Sequence, residues 1–123
     1  YHSDMRKVAP DAQLMAITHN WGYYYTQRVK ALQKGQWQTS TVWGGLKEGM
    51  IKVGDFGPKL LPQVRAEIVQ VQKDMVAGKR HPFQGPIQDN EGKAVLPAGQ
   101  RLSDVQILNM NFAVAGVVGK LKP

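Results

Sequence analysis

The sequence predicts an α/β fold, because short apolar runs alternate along the chain with longer helical patterns. Residues 13–17 form an apolar run typical of a buried strand, and Tyr25, Val29 and Leu32 then recur on one helical face. A second strand is predicted at 50–53 and a second helix after it. This alternation favours a mostly parallel sheet flanked by helices.

The second helix has the clearest pattern in the chain. Its apolar positions are spaced by three or four residues, so they lie on one face: Leu61, Val64, Ile68, Val71 and Met75. Pro62 suits the first helical turn, and Gly78 suits the position just after the end. The two long helices are therefore expected at about 22–34 and 62–77, the second one burying this single stripe.

The last third of the sequence predicts a hairpin and a short helix. Strand-like residues on both sides of the polar turn 88–93 indicate the hairpin. Ser103 and Gln106 have the spacing of a capping box, which predicts a helix that ends near Asn109. Residues 112–118 are then expected to form a closing strand.

The junction between the first strand and the first helix is the best candidate for a binding site. His19, Asn20 and Trp21 lie at the predicted carboxyl end of the strand, where open α/β sheets bind ligands. Ser3 and Asp4 lie on a loop that is expected beside the same crevice. The alternative interpretation is that Trp21 belongs to the core, Asn20 caps the helix and Asp4 forms a local turn.

The charge of the chain leaves several classes of partner open. Sixteen Lys and Arg against nine Asp and Glu give a net charge of +7, which suits nucleic acid, anionic lipid or an acidic ligand. The basic residues are scattered in ones and twos, and no helix shows a basic stripe with exposed aromatic residues. Nucleic acid is therefore not expected as a partner, and a basic module that binds nucleic acid or another anionic polymer is kept as the alternative.

The sequence offers little catalytic chemistry. The three histidines lack the spacing of a metal site, there is no cysteine, and no serine lies in a nucleophile elbow. We therefore expect no enzyme, no metal and no cofactor, and a small hydrolase is the weakest of the hypotheses. No apolar run approaches the length of a membrane helix, and the first residues look like the end of a strand within a longer protein.

Short motifs follow one another at specific spacings along nearly the whole chain: Ser3-Asp4-Met5, Ala9-Pro10, Gln13-Leu14, His19-Asn20-Trp21-Gly22, Trp43-Gly44-Gly45-Leu46-Lys47-Glu48-Gly49-Met50, Gly78, Pro82-Phe83-Gln84-Gly85-Pro86-Ile87, Asp89, Gly92, Leu102-Ser103-Asp104 and Met110. In their order and spacing, these motifs resemble the C-terminal portion of the basic membrane protein family, the solute-binding lipoproteins of ABC importers that include purine nucleoside receptors.

This resemblance implies a type I periplasmic-binding-protein fold, with two α/β lobes that close on a ligand. Residues 1–123 would be the C-terminal portion of such a protein, and the other lobe segments and a membrane ABC permease would be its partners. It also implies a periplasmic location with a lipid anchor on the full-length protein. The C-terminal hairpin would lie near the hinge.

The resemblance further implies a purine-type ligand bound between the lobes. In the nucleoside-binding members an acidic residue and a Lys hold the ribose hydroxyls, and these positions correspond here to His2 and His19. A site without both charged groups loses most of its preference for ribose, so the expected ligand is a nucleobase such as adenine, or a nucleoside, with adenine bound at least as well as adenosine. The expected ligand-facing residues are His2, Ser3, Asp4, His19, Asn20 and Trp21.

Overall fold

The structure is a computed structural model that describes residues 1–119, and it divides into two compact units, Tyr1–Lys79 and Arg80–Pro123. The first unit holds two strands and two helices in alternating order, and the second holds a hairpin and a short helix. In chain order the elements are β1 (Ala16–His19), α1 (Trp21–Gln33), β2 (Ile51–Gly54), α2 (Pro62–Val76), β3 (Ile87–Gln88), β4 (Ala94–Leu96) and α3 (Asp104–Leu108). The α/β prediction is confirmed at this level.

The predicted parallel sheet is wrong for the described residues, because β1 and β2 form a two-stranded antiparallel ribbon. Ala16 pairs with Gly54 and His19 with Ile51, so β2 starts where β1 ends. The N–H of Asn20 donates to the carbonyl of Met50 at 2.8 Å and marks this shared end. A helical crossover would return the chain to the opposite end of β1. Here the long connection after α1 brings the chain back to the carboxyl end of β1, so β2 runs in the opposite direction.

Both long helices were predicted within one residue of their observed bounds at each end. The burial of α2 was overestimated, since none of its residues is buried. Ile68 and Met75 are half-buried, whereas Val64 and Leu61 at its start are exposed. The apolar stripe is therefore covered only along its second half within the described residues.

The first unit is held together by a close crossing of two backbone segments. Ala16 is the one buried hydrophobic residue described in this unit, and it lies at the start of β1. Gly57 is also buried, and its N–H donates to the carbonyl of Leu14 at 3.0 Å. A Cβ on Gly57 would collide with the carbonyl of Gln13. This approach joins the segment after β2 to the segment before β1.

In the second unit, the hairpin and the short helix were predicted correctly. β3 and β4 pair in antiparallel orientation. The buried hydrophobic residues described in this unit are Leu96 and Leu102. Ser103 and Gln106 form the capping box in both directions, and the helix ends at Leu108 with Asn109 as its C-cap, next to the predicted end.

The predicted closing strand at 112–118 is reduced to an isolated bridge between Asp89 and Val114. The Asn90 side chain holds the end of this segment, because its amide donates to the carbonyls of Val117 and Gly119 at 3.3 and 2.6 Å. Turns at 115–116 end the pairing before a ladder can extend. The four residues after 119 lie outside the described part of the chain.

Candidate functional site

Two histidines meet at the end of β1. The chain before β1 runs beside that strand, and the N–H of His2 donates to the carbonyl of Ile17 at 2.8 Å. His2 has a left-handed backbone, with φ of 72°, which turns its ring toward the last residue of β1. His2 Nδ1 and His19 Nε2 lie 2.8 Å apart, so one of these nitrogens donates a hydrogen to the other. The pair therefore shares one hydrogen.

A row of aromatic rings continues from this pair onto α1. The His19 ring stacks on Trp21 with centroids 5.1 Å apart, and Trp21 stacks on Tyr25 at 6.0 Å. The His2 ring lies 4.7 Å from His19, and the Tyr1 ring, 3.6 Å from His2, forms the other end of the row. Trp21 and Tyr25 are one helical turn apart and both remain exposed, so the helix presents flat apolar surface next to the two imidazoles.

Asn20 lies between β1 and α1 but does not cap the helix with its side chain. Its amide nitrogen donates instead to the carbonyl of Gly49 at 2.9 Å, which fastens the turn before β2 to the junction. Asn20 therefore occupies the N-cap position of α1, as the alternative interpretation has it, but its side chain bonds outside the helix. Within residues 1–119 the amide oxygen of Asn20 accepts no hydrogen bond, and it stays available at the same end of the ribbon as the histidines.

Asp4 belongs to a different cluster. Arg6 holds its carboxylate through two atoms, Nε at 2.9 Å and Nη2 at 2.7 Å, and Gln13 donates to it at 3.1 Å. Arg6 Nη2 also donates to Asp55 at 2.8 Å, and the Gln13 amide donates to the Asp55 carbonyl at 2.7 Å. The cluster ties the first segment of the chain to the residue that follows β2.

This cluster changes the electrostatics of its acidic member. The hydrogen bond from the Arg6 side chain, followed by that from the Arg6 backbone, holds the pKa of the Asp4 carboxyl far below its usual range. The same contact raises the pKa of Arg6. Asp4 is therefore a carboxylate at neutral pH, but a guanidinium already satisfies it.

The structure thus separates the six predicted site residues, with four of them together and Asp4 apart. His2, His19, Asn20 and Trp21 lie at the end of the ribbon where β1 finishes, beside Ile51. Asp4 lies at the other end of the ribbon, where β1 begins. Arg6 joins it there to Asp55, the residue after the last residue of β2. Three residues of strand, roughly 10 Å, separate those ends. Ser3 is exposed in the bend between them.

Sequence reasoning did not anticipate Arg6, Gln13 and Asp55 as neighbours of Asp4. Arg6 and Asp55 are in contact although they are 49 positions apart in the sequence, and no spacing pattern connects them. One local signal did exist, because an Asp is among the few residues that adopt the left-handed backbone found at Asp55, with φ of 47°.

An open groove of about 360 Å³ lies elsewhere in the first unit, between β2 and α2. Its polar lining comes from Thr18, Lys52, Asp55 and Gln72. The Gln72 amide donates to the carbonyl of Val53 at 3.0 Å. None of the six predicted site residues lines it. The aromatic row and this groove are separate features of the described chain.

Two kinds of feature are absent from residues 1–119. No group of three His, Cys, Asp or Glu side chains is arranged to hold a metal ion there. No helix in that range is long and apolar enough to cross a bilayer.

The chain is similar to known binding proteins. It is 40% identical to a purine-binding protein of Brucella abortus (strain 2308) over 119 residues. The matched region is 97% of this chain and 34% of that protein. It is 19% identical over 96 residues to a putative ABC transporter glucose-binding protein of Haloferax volcanii, covering 78% of this chain and 25% of that protein. No family model matches the chain. The chain thus spans about a third or less of the length of these two relatives.

Proposed function

We propose that this chain is the C-terminal portion of a two-lobed solute-binding protein of an ABC importer, of the basic membrane protein type, and that the full protein binds a purine-type ligand between its lobes. The observation that carries the proposal is the 40% identity to a purine-binding protein along 97% of the chain. The second relative, by name an ABC transporter binding protein, supports the transport role. A periplasmic location, a lipid anchor and docking on an ABC permease belong to the same proposal.

The junction after β1 has the chemistry that a purine requires. A purine has flat apolar faces together with ring nitrogens and exocyclic groups at its edges. Trp21 and Tyr25 supply exposed ring surface, and His19 and Asn20 supply polar atoms beside it. We propose that His2, His19, Asn20 and Trp21 line the ligand side of the cleft.

Ser3 and Asp4 are proposed for the rim of the same cleft. Arg6 already satisfies the Asp4 carboxylate, so Asp4 would act on the ligand chiefly by holding the segment that carries His2. The function is binding, with no chemical step, in keeping with two relatives that are named as binding proteins.

The ligand preference distinguishes this proposal from a nucleoside receptor. Without a carboxylate and an ammonium for the ribose hydroxyls, the full-length protein should bind adenine at least as well as adenosine. Calorimetry with both ligands measures this, and His19→Ala should weaken adenine binding. A strong preference for adenosine that persists in His19→Ala would contradict the proposed role of this position.

The same titrations separate the proposal from binding to an anionic polymer. A neutral base in a cleft should hardly respond to salt, whereas polymer affinity falls steeply as salt rises because bound counterions are released. Tight, salt-sensitive binding of nucleic acid with no binding of adenine would favour the alternative.

A further inference from the structure

We propose that His2 shares one hydrogen with His19 without fixing which ring carries it, so that His19 Nδ1, the outer nitrogen, serves either as a donor or as an acceptor toward the ligand. This inference rests on the function proposed above and identifies His2 as a positioning residue for it. The consequence is a site that accepts purines with either an amino or an oxo group at the atom facing His19.

The contact between the rings leaves two arrangements of the shared hydrogen. When His19 Nε2 carries the hydrogen and donates to His2 Nδ1, the other nitrogen of a neutral His19, Nδ1, is an acceptor. When His2 Nδ1 carries the hydrogen, His19 Nε2 accepts it and His19 Nδ1 bears a hydrogen and donates. Each arrangement keeps the bond between the rings and reverses the character of the outer nitrogen.

The surroundings leave this choice open. No hydrogen bond from another side chain or carbonyl within residues 1–119 reaches His19 Nδ1 or His2 Nε2, so no third group selects one arrangement. The His19 ring is held by stacking on Trp21, and His2 is held by its backbone bond to Ile17. Stacking and the backbone bond fix the position of the rings but not the location of the hydrogen.

Adenine and hypoxanthine are the probes that test this arrangement. Adenine carries an amino donor at position 6, and hypoxanthine carries an oxo acceptor there. A His19 nitrogen that takes either role pairs with both. A nitrogen restricted to the acceptor role pairs with adenine and opposes the oxo group of hypoxanthine.

His2→Asp imposes that restriction. A carboxylate oxygen occupies the same position along the side chain as Nδ1 of histidine, and it only accepts hydrogen bonds, so His19 Nε2 must keep the hydrogen. His2→Asn is the matched control, because its amide turns over to present either an acceptor or a donor. Both replacements tolerate the left-handed backbone of residue 2.

Calorimetry of the full-length protein at pH 8, where imidazole is ordinarily neutral, gives the affinity ratio of adenine to hypoxanthine in each variant. An unmatched buried polar contact costs enough to change affinity by about tenfold. The ratio should therefore be about tenfold higher in His2→Asp than in His2→Asn, because only the carboxylate forces His19 Nε2 to keep the hydrogen. The ¹⁵N shifts of His19 in His2→Asp should report a hydrogen on Nε2.

The outcomes distinguish the inference from the function beneath it. If the wild-type protein binds neither purine, the proposed function fails. If it binds purines but the ratio is no higher in His2→Asp than in His2→Asn, the assignment of His2 is overturned while the function stands.

Discussion

Two contacts at the scale of single residues determine how the first unit closes. Gly57 is buried where the segment after β2 crosses the segment before β1, and its missing side chain lets the two backbones approach. Asp4 is held by Arg6, which reaches on to Asp55. Each contact joins parts of the chain that are more than forty residues apart.

Gly57→Ala should destabilise the folded protein by about 1–3 kcal/mol, because the new methyl group collides with the carbonyl of Gln13 and backbone atoms must move. The matched control is Gly22→Ala in α1, where a Cβ has no heavy atom within 4 Å. That control should be unchanged or slightly more stable. Urea denaturation measures both, and equal midpoints for the two variants would show that the crossing is not tight.

The contribution of Asp4 to stability should depend on pH in one direction. Its pKa lies below the ordinary value of 3.8, so the folded state favours the carboxylate, and the contribution is present in full above that value. It is lost as the pH falls through the lower pKa of the folded state. The difference in Tm between the wild type and Asp4→Asn should be constant from pH 6 to 8 and shrink below about pH 4. A difference that shrinks instead as the pH rises would contradict the assignment.

At the scale of elements, both long helices keep apolar side chains on the surface. On α1 the exposed side chains include Val29 and Leu32, which are 54% and 65% exposed. On α2 the apolar stripe becomes half-buried only from Ile68 onward. Packing of these faces within the described residues is therefore partial, and the cost of a substitution depends on the position along the helix.

Ile68→Ala should destabilise the chain by about 1–2 kcal/mol, below the range for a fully buried isoleucine, because the side chain is only half-buried. Gln70→Ala on the exposed face loses one hydrogen bond to Asp74, at 3.0 Å, and should cost less than about 0.5 kcal/mol. Denaturant melts compare the two. A loss of about 3 kcal/mol or more in Ile68→Ala is typical of a fully buried isoleucine. That result would contradict the half-buried position of this side chain on α2.

At the scale of the whole molecule, the proposed cleft needs residues that this chain does not contain. The described chain contributes a junction with two imidazoles, an amide and stacked rings, and the relative named for purine binding is about three times as long as the matched region. A ligand bound between two lobes would contact this junction on one side only.

The isolated chain of 123 residues should therefore bind adenine at least about a hundredfold more weakly than the full-length protein, since a ligand that loses half of its contacts loses several kcal/mol of binding free energy. Calorimetry on both proteins under the same conditions tests this. Equal affinities would mean that the 123 residues hold a complete site, which would contradict the two-lobed proposal.

The residues of the candidate site were predictable individually but not as a group. The strand-to-helix transition at His19, Asn20 and Trp21 follows from local pattern, and the structure has β1 end and α1 begin at this point. The meeting of His2 with His19 follows from the first segment running beside β1. Because Asp4 and Asp55 are joined only through folding, their position at the other end of the ribbon has no counterpart in sequence spacing.

The sequence by itself determined the helices, the hairpin and the capping box of α3, because each depends on residues within a few positions of one another. Hydrophobic spacing, a proline in the first turn and the Ser103 and Gln106 pair act over single turns of helix. The tertiary structure alone decided the strand direction, because a strand has the same side-chain alternation in either direction. The route of residues 34–50 back to the end of β1 makes the ribbon antiparallel, and this direction brings Asp55 to the start of β1, where Arg6 and Gln13 hold Asp4.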